Sequence, residues 1–275
     1  IRVASVGNVD SGKSTTISVL SHNILDNGRG KARESILKHP HEKTTGRTSS
    51  IAHTFIRKPN YIYNFIDLAG HEKYLKTTTL GLNGYLVDYA MVVIGADRGI
   101  IGMTKEHLIL AISLKIPLFI VITKIDVAVE SKLRSLEKRL ATIFSSKFAG
   151  EKDLQFISND TDNICPNKIL IFKISNVTGE NLDVFKKYVF SLTPTSHIGN
   201  KDDVETKFVI DSRFRLPGIG LVITGICHKG TFYNERDYFL GPFGNTFKKV
   251  RIRSMHNNFK ENIDLLRAGE GGCFN

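Results

Sequence analysis

One short segment near the start of the chain constrains the fold more than any other feature. It has the pattern G-x-x-x-x-G-K-S and reads Gly7-Asn8-Val9-Asp10-Ser11-Gly12-Lys13-Ser14, between an apolar run and an amphipathic stretch. Glycines in such a turn let backbone N–H groups surround a phosphate, and the helix start adds the positive end of its dipole. The alternative is a glycine turn beside an incidental lysine. We predict a phosphate-binding loop whose contacts come from Asn8, Val9, Asp10, Ser11, Gly12, Lys13, Ser14 and Thr15.

Two residues of this loop have individual predicted roles. Lys13 is placed to reach the β- and γ-phosphates of a nucleotide, and Ser14 offers its hydroxyl to Mg²⁺.

Apolar runs alternate with amphipathic stretches through about the first 190 residues, which is typical of strands separated by crossover helices. The predicted strands are 2–6, 51–56, 61–66, 89–94, 118–122 and 169–174. The predicted helices are 13–25, 74–82, 104–114, 129–148 and 181–192, the last with Asn181 as its N-cap. The connection at 57–60 is too short for a crossover helix, so its flanking strands should pair antiparallel. The expected fold class is α/β with a mixed, mostly parallel sheet.

The pattern changes after a polar, turn-rich segment at 193–200. Beyond it only short β-type runs occur, separated by turn signals such as Pro217-Gly218 and Gly241-Pro242. This spacing is typical of a small antiparallel β-barrel. We therefore predict two domains, 1–197 and 203–275.

Composition excludes several classes of protein. The 275 residues are 41% hydrophobic and 24% charged, which fits neither a disordered nor a collagen-like chain. The longest apolar stretches are far shorter than the roughly 18 residues that cross a bilayer. Three widely separated cysteines argue against a disulfide framework or zinc site and favour a reducing, cytoplasmic compartment. The chain opens at Ile1 without an initiator methionine, so we expect its start to be trimmed.

A second polar cluster follows the apolar run at 61–66. Asp67 lies at the predicted strand end, where a carboxylate suits a Mg²⁺ site through the water shell of the ion. Gly70 could offer its N–H to a γ-phosphate, and His71 could orient a water molecule for in-line attack. Without the phosphate loop, strand-end caps and turns would be the better interpretation.

A third cluster, Thr123, Lys124 and Asp126, follows the run at 118–122 and indicates a purine-binding edge. A buried carboxylate on Asp126 can accept from both N1–H and the exocyclic amine of guanine, a pair that adenine lacks. The Lys124 stem can lie over the purine face. The turn formed by Ser175, Asn176 and Val177 could give a backbone N–H to the guanine carbonyl. The alternative is a lysine–aspartate pair at a strand end.

At these residues the chain resembles the translational GTPases, the family of elongation factor Tu and elongation factor 1-alpha, and more closely the branch of GTP-binding proteins 1 and 2. Segments 25–30, 41–50 and 175–181 carry the resemblance, which continues through 217–225. It implies a monomeric, cytoplasmic enzyme that hydrolyses GTP to GDP and phosphate with Mg²⁺. It also implies action on the ribosome with tRNA or another RNA, no membrane partner, and a third domain beyond Asn275.

The resemblance also assigns roles to single residues. Thr48 corresponds to a switch threonine that joins Mg²⁺ and senses the γ-phosphate, within a loop at 27–50 that orders with GTP; otherwise it is part of a polar solvent loop. His71 corresponds to the water-positioning histidine, and Asp10 to a residue that binds a monovalent cation in some relatives. The implied catalytic set is therefore His71, Lys13 and Thr48, and the metal set is Ser14, Thr48 and Asp67.

Three positions depart from the family pattern. Thr123 stands where asparagine is usual, which predicts the loss of a purine contact and of a tie to the phosphate loop. Arg47 replaces an isoleucine that shields the catalytic histidine in elongation factor Tu, so the gating of His71 should differ. Ala69 replaces a proline and should loosen the following switch segment.

The formal net charge of +11 favours a polyanionic partner, or simply solubility. Basic residues in the first switch and in the second domain could meet RNA phosphates, or form a solvated loop and a charged edge strand: Lys31, Arg33, Lys38, Lys43, Arg47, Lys248, Lys249, Arg251 and Arg253. We expect Phe247 and Phe259 to belong to the barrel core rather than to stack on bases.

Two other functional classes remain open at this point. One is a nucleotide-dependent module that binds RNA or aminoacyl-tRNA and scarcely hydrolyses GTP. The other is an ATP-using or sulfate-activating enzyme with the same phosphate loop.

Overall fold

In the computed structural model the chain divides into two compact units, Ile1–Pro194 and Thr195–Asn275. The structure describes residues 1–36, 51–146, 150, 152–159, 162–165, 167–195 and 199–275. Thr48 therefore lies outside the described residues, as do Lys38, Lys43 and Arg47. The domain limits 1–197 and 203–275 stay a prediction.

Seven strands form one sheet in the first unit, in the order β2-β3-β1-β4-β5-β7-β6. Their bounds are β1 Arg2–Val6, β2 Ala52–Arg57, β3 Ile62–Asp67, β4 Tyr89–Gly95, β5 Leu118–Thr123, β6 Leu154–Ile157 and β7 Ile169–Lys173. Only β2 runs antiparallel to its neighbour, and every other pairing in this sheet is parallel. The predicted hairpin and mixed sheet are confirmed. The four-residue strand β6 escaped prediction because it is short and lies at the sheet edge, where Phe156 stays partly exposed.

Among the described residues, five α-helices accompany this sheet, with bounds α1 Lys13–His22, α2 Leu75–Gly84, α3 Gly102–Ser113, α4 Glu130–Phe144 and α5 Leu182–Ser191. Helix α1 ends earlier than predicted because Asn23 takes a left-handed conformation with φ 58°. Asn181 is the N-cap residue of α5, as predicted, but its side chain makes no cap hydrogen bond. Asn181 is itself left-handed, and its Nδ2 donates to the Lys173 carbonyl at 2.8 Å.

The hydrophobic core lies on both faces of the sheet, as expected for strands covered by helices on each side. One buried cluster contains Val6, Ile94 and Ile122, packed with Leu108 of α3 and Leu140 of α4. The other buries the alternate strand residues, among them Val3, Met91 and Phe119, with Ile17 of α1 and Phe185 of α5. Continuous apolar strands therefore fix the sheet in the interior, and the loops at its carboxyl edge carry the polar residues.

In the second unit, residues 199–275 form eight strands, β8 Lys207–Leu216, β9 Gly220–Lys229, β10 Thr231–Tyr233, β11 Asp237–Phe243, β12 Thr246–Arg251, β13 Met255–Asn257, β14 Leu265–Arg267 and β15 Gly271–Phe274. They pair antiparallel in three sheets, ordered β13-β15-β9-β8, β10-β14 and β11-β12. The predicted antiparallel architecture is confirmed. Its core includes Phe232, Met255, Leu266 and Phe274.

Phe247 does not belong to that core, so this part of the prediction is wrong. The side chain is 58% exposed on β12, whereas Phe259 is half-buried. Alternation explains the outcome, because Phe247 occupies the strand face opposite Val250. Through the described parts of the chain, each helix is too short or too polar to span a membrane.

Candidate nucleotide-binding site

Five parallel strands, β1, β3, β4, β5 and β7, end at one edge of the first sheet and bring the predicted site segments together. Ser5 of β1 is aligned with Asp67 of β3, and Gly95 of β4 is aligned with Thr123 of β5. The segment around Ser175 follows β7, the next strand along the sheet. Ligands of open α/β sheets bind in the crevice outside such carboxyl ends.

The phosphate loop connects β1 to α1 through backbone conformations that favour glycine. Gly7 has φ 143°, and a Cβ there would lie 2.1 Å from the Val93 carbonyl oxygen. Gly12, with φ 93°, is the N-cap of α1 and supplies no side-chain cap. The first N–H groups of α1 therefore point toward the loop without a side-chain acceptor from the N-cap residue, which is the arrangement that binds anions at helix starts.

Lys13 is buried at the mouth of this loop. Its Nζ donates to the carbonyl oxygens of Asn8 at 2.7 Å and Gly7 at 3.2 Å. Burial lowers the pKa of Lys13 to about 8, against the opposing attraction of Asp67 and Asp10. A buried ammonium held by neutral carbonyl groups is poorly compensated, so an anionic ligand at this position would stabilise it.

Ser14 and Asp67 are in direct contact, as two ligands of one metal ion should be. The Ser14 hydroxyl donates to Asp67 Oδ2 at 2.5 Å, and Asp67 is buried at the end of β3. A hydroxyl and a carboxylate oxygen are the donors that Mg²⁺ prefers. The pair therefore fits a magnesium ion, directly or through bound water.

Gly70 lies directly against the phosphate loop. A Cβ at this position would come within 2.5 Å of Lys13 Nζ and 2.6 Å of the Asn8 carbonyl carbon. Only glycine permits such an approach, so the loop after β3 is in place to sense a ligand held by Lys13.

His71 is exposed and caps the short 3-10 turn Glu72–Tyr74. Its Nδ1 accepts from the Lys73 backbone N–H at 3.2 Å, and its ring contacts the Tyr74 ring edge-on with centroids 6.3 Å apart. Within the part of the chain that the structure describes, these contacts of His71 are with its own turn and not with the phosphate loop. The structure thus brings Lys13, Ser14, Asp67 and Gly70 together and leaves His71 turned toward solvent.

Thr123 is hydrogen-bonded to the phosphate loop, although threonine in place of the usual asparagine was expected to lose this connection. The Thr123 hydroxyl donates to the Ser11 carbonyl oxygen at 2.6 Å, and the side chain is fully buried. A Cβ on Gly12 would lie 3.2 Å from this hydroxyl oxygen, so the loop and the end of β5 are in close contact. The shorter side chain reaches the phosphate loop because glycine allows the two segments to approach.

Asp126 differs from its prediction because its side chain is exposed. It lies in the 3-10 turn Ile125–Val127, beyond the end of β5, where the chain has left the sheet interior. Lys124 is left-handed with φ 60°, and its Nζ pairs with Asp97 Oδ2 at 2.9 Å. The Asp126 carboxylate would therefore become buried only if a ligand covered it.

The turn after β7 is anchored on α1. Ser175 is buried, and its Oγ accepts from the N–H groups of Val177 at 3.2 Å and Thr178 at 3.0 Å. Asn176 donates from Nδ2 to Thr16 Oγ1 at 2.9 Å. The Asn176 side chain therefore faces α1, and only the backbone of this turn is left to meet a base.

The sequence analysis missed His107, a fully buried residue of α3. Its Nδ1 accepts from the Gly7 N–H at 3.1 Å, which fixes the start of the phosphate loop. Burial, and next the nearby charge of Lys13, lower the pKa of His107 to about 4. The available signal was a histidine beside apolar residues in a predicted helix, which is too common to indicate a site.

The loop after β4 was also missed. Arg98 pairs with Asp10 at 3.6 Å, and Asp97 joins Lys124, so this loop connects the phosphate loop to the base edge. Arg98 therefore pairs with the carboxylate to which the resemblance assigns a monovalent cation.

The strand order, the phosphate loop and the strand-end carboxylate define a P-loop α/β protein. Residues 1–195 match the family model described as "Elongation factor Tu GTP binding domain". The chain belongs to this family of translational GTPases, which confirms the resemblance stated from its motifs.

Two curated relatives extend the match into the second unit. The chain is 37% identical over 313 aligned positions to GTP-binding protein 1 of Xenopus laevis, which covers all of this chain and 46% of that protein. It is 34% identical to GTP-binding protein 2 of Homo sapiens, over 98% of this chain and 50% of that protein. This chain therefore spans about half the length of these relatives.

A solved structure of a bacterial selenocysteine-specific elongation factor has the same fold, with a TM-score of 0.74 and 26% identity. The alignment covers all of this chain and 42% of that one.

Proposed function

We propose that this chain binds GTP and hydrolyses it to GDP and phosphate, and that it acts as the nucleotide-dependent switch of an elongation-factor-like translational GTPase. The observation that carries the proposal is the buried Lys13 ammonium, held by two carbonyl oxygens beside the Ser14–Asp67 pair. Such a group is suited to a triphosphate, because the ligand adds negative charge where Asp67 and Asp10 only partly offset the burial of the ammonium.

The residues act on distinct parts of the nucleotide. Lys13 and the amides of residues 8–15 hold the phosphates, while Ser14, Thr48 and Asp67 would hold Mg²⁺. Bound Mg²⁺ would neutralise charge on the phosphate oxygens. His71 positions the attacking water, which displaces GDP without a covalent enzyme intermediate. Asp126 and Lys124 select guanine, and the backbone at 175–177 meets its carbonyl.

The proposed setting is the cytoplasm, with the protein acting as a monomer on the ribosome together with tRNA or another RNA. Turnover of the isolated chain should be slow, on the order of 10⁻⁴ to 10⁻² s⁻¹, because a partner completes the stabilisation of transition-state charge. A monovalent cation near Asp10 would have to compete with the Arg98 guanidinium for that carboxylate.

One observation favours a second candidate, a GTP-dependent module that binds RNA or aminoacyl-tRNA and hydrolyses GTP weakly. His71 is exposed and bonded to its own turn, so its catalytic use requires a rearrangement. This candidate keeps every nucleotide contact of the first and removes only the role of His71.

Phosphate release with and without ribosomes distinguishes the two candidates. In a His71→Ala variant we expect ribosome-stimulated release to fall on the order of 10²-fold or more, with GTP affinity within about twofold of the parent. His22→Ala, an exposed histidine of α1, serves as the control. Unchanged stimulated release in His71→Ala would refute the catalytic role, and tighter retention of ATP than of GTP would refute guanine selection.

A further inference from the structure

Strands β11 and β12 form a hairpin with two chemically different faces. Tyr238 is paired with Val250, and its ring packs on Phe232 of the core with centroids 4.6 Å apart. Phe239 is paired with Lys249 and therefore points to the opposite face. A Cβ on Gly241 would lie 2.8 Å from the Phe247 ring, which places Phe247 on that same face. Arg251, two residues beyond Lys249, completes it.

This outer face, formed by Phe239, Phe247, Lys249 and Arg251 with Asp237 beside them, exposes two large rings. Phe239 is 75% exposed and Phe247 is 58% exposed. The two residues are diagonal neighbours across the pair, at a Cα separation of roughly 7–8 Å in such strands. Neighbouring exposed rings at this spacing suit consecutive unstacked bases, because every base presents a flat face that stacks on an aromatic side chain.

Charge on the hairpin has the sign that a polyanion requires. The hairpin, residues 237–251, includes three basic side chains and one acidic side chain. Lys249 pairs with Asp237 at 3.0 Å, but both are well exposed, and such pairs contribute little. Lys248 lies 5.1 Å from the centroid of the Phe243 ring, so aromatic and basic groups also meet at the hairpin end.

We propose that this outer face binds single-stranded RNA. Phe239 and Phe247 stack on two consecutive bases, and Lys249 and Arg251 contact the flanking phosphates. Its large apolar groups are aromatic and are interleaved with basic residues, which favours a nucleic acid over an apolar protein surface. The site requires no nucleotide in the first unit; only the choice of RNA over DNA rests on the proposed function in translation.

The test is fluorescence anisotropy of a labelled, unstructured 12-nucleotide RNA titrated with the full chain. We expect Phe239→Ala and Phe247→Ala each to weaken binding about five- to hundredfold without changing its salt dependence. Lys249→Gln and Arg251→Gln should each reduce the slope of log affinity against log salt by about 0.7. The matched controls Phe214→Ala and Lys260→Gln, exposed residues outside the hairpin, should bind as the parent does.

GTP binding of the phenylalanine variants is measured in parallel and should equal that of the parent. RNA binding without GTP binding would refute the proposed function and leave this site intact. Parental RNA affinity in the double phenylalanine variant would overturn the site, as would equal affinity for duplex RNA. Tighter binding of the matching single-stranded DNA would overturn the choice of RNA. Self-association that the double variant abolishes, with RNA binding unchanged, would identify a protein interface instead.

Discussion

The two ends of the candidate nucleotide site are built in opposite ways. At the phosphate end, Lys13 and Asp67 are buried and already bonded to neighbouring groups. At the base end, Asp126 is exposed on a short turn, and Lys124 is paired elsewhere with Asp97. Burial of charged groups at the phosphate end therefore destabilises the ligand-free protein, and a bound ligand can relieve this destabilisation. The exposed base end destabilises the ligand-free protein hardly at all. We expect the affinity for nucleotide to depend mainly on the phosphate end and the selectivity for guanine mainly on the base end.

The largest expected effect is that of Lys13→Met. Loss of the charge-assisted contacts to phosphate should weaken GTP binding on the order of 10³-fold. The ligand-free protein should be at least as stable as the parent, because the substitution removes a buried ammonium whose pKa is lowered to about 8. Isothermal titration and thermal unfolding without nucleotide measure the two quantities, with the exposed Lys138→Met as the control. A large drop in ligand-free stability would contradict the contrast between the two ends.

A smaller effect on affinity, with a change of selectivity, is expected of Asp126→Asn. Replacing the carboxylate should weaken GTP binding on the order of 10²-fold. XTP should then bind more tightly than GTP, because the amide can donate to the xanthine carbonyl that replaces the guanine amine. Stability should change by less than about 0.5 kcal/mol, since the side chain is exposed. Competition binding of GTP, XTP and ATP is the measurement, and Asp183→Asn, another exposed carboxylate, is the control.

The smallest effect on the site is expected from protonation of His107, which lowers the stability of the fold as the pH falls. The His107 pKa of about 4 lies below the ordinary value of 6.5, so the unfolded chain binds the additional proton first as pH falls. Stability from the neutral ring is complete above pH 6.5 and is lost between about pH 6.5 and pH 4, by roughly 3 kcal/mol at most. Protonating Nδ1 would also break its bond with the Gly7 N–H.

Urea unfolding at pH 7, 5.5 and 4.5 measures this loss. In His107→Gln, whose amide oxygen can still accept from Gly7, the decline over this range should be smaller than in the parent. Equal declines in the two proteins would show that another group titrates.

Local patterns in the sequence were sufficient to predict most of the first unit. Its central strands are continuous apolar runs buried on both faces, and the loop from Gly7 to Ser14 needs particular residues in a fixed order. The predictions that failed depend on packing between distant segments. The exposure of Asp126 follows from where the chain leaves the sheet after β5, and that of Phe247 from which face of β12 packs on the core. Neither is specified by the residues alone.

The long-range contacts of the site could not be predicted from the sequence either. His107 lies one hundred residues from the Gly7 amide that it accepts from, and no local pattern connects two positions so far apart. The Thr123 bond to the Ser11 carbonyl depends on how closely Gly12 lets two segments approach, which is a property of the folded backbone.

That single bond has a kinetic consequence. The Thr123 hydroxyl bonds the end of β5 to the Ser11 carbonyl. A macromolecule that displaced the purine-binding segment after β5 would therefore also strain the phosphate-binding loop. Base and phosphate would then be released in one concerted event, so a factor acting at the guanine side could trigger nucleotide exchange without ever touching the triphosphate.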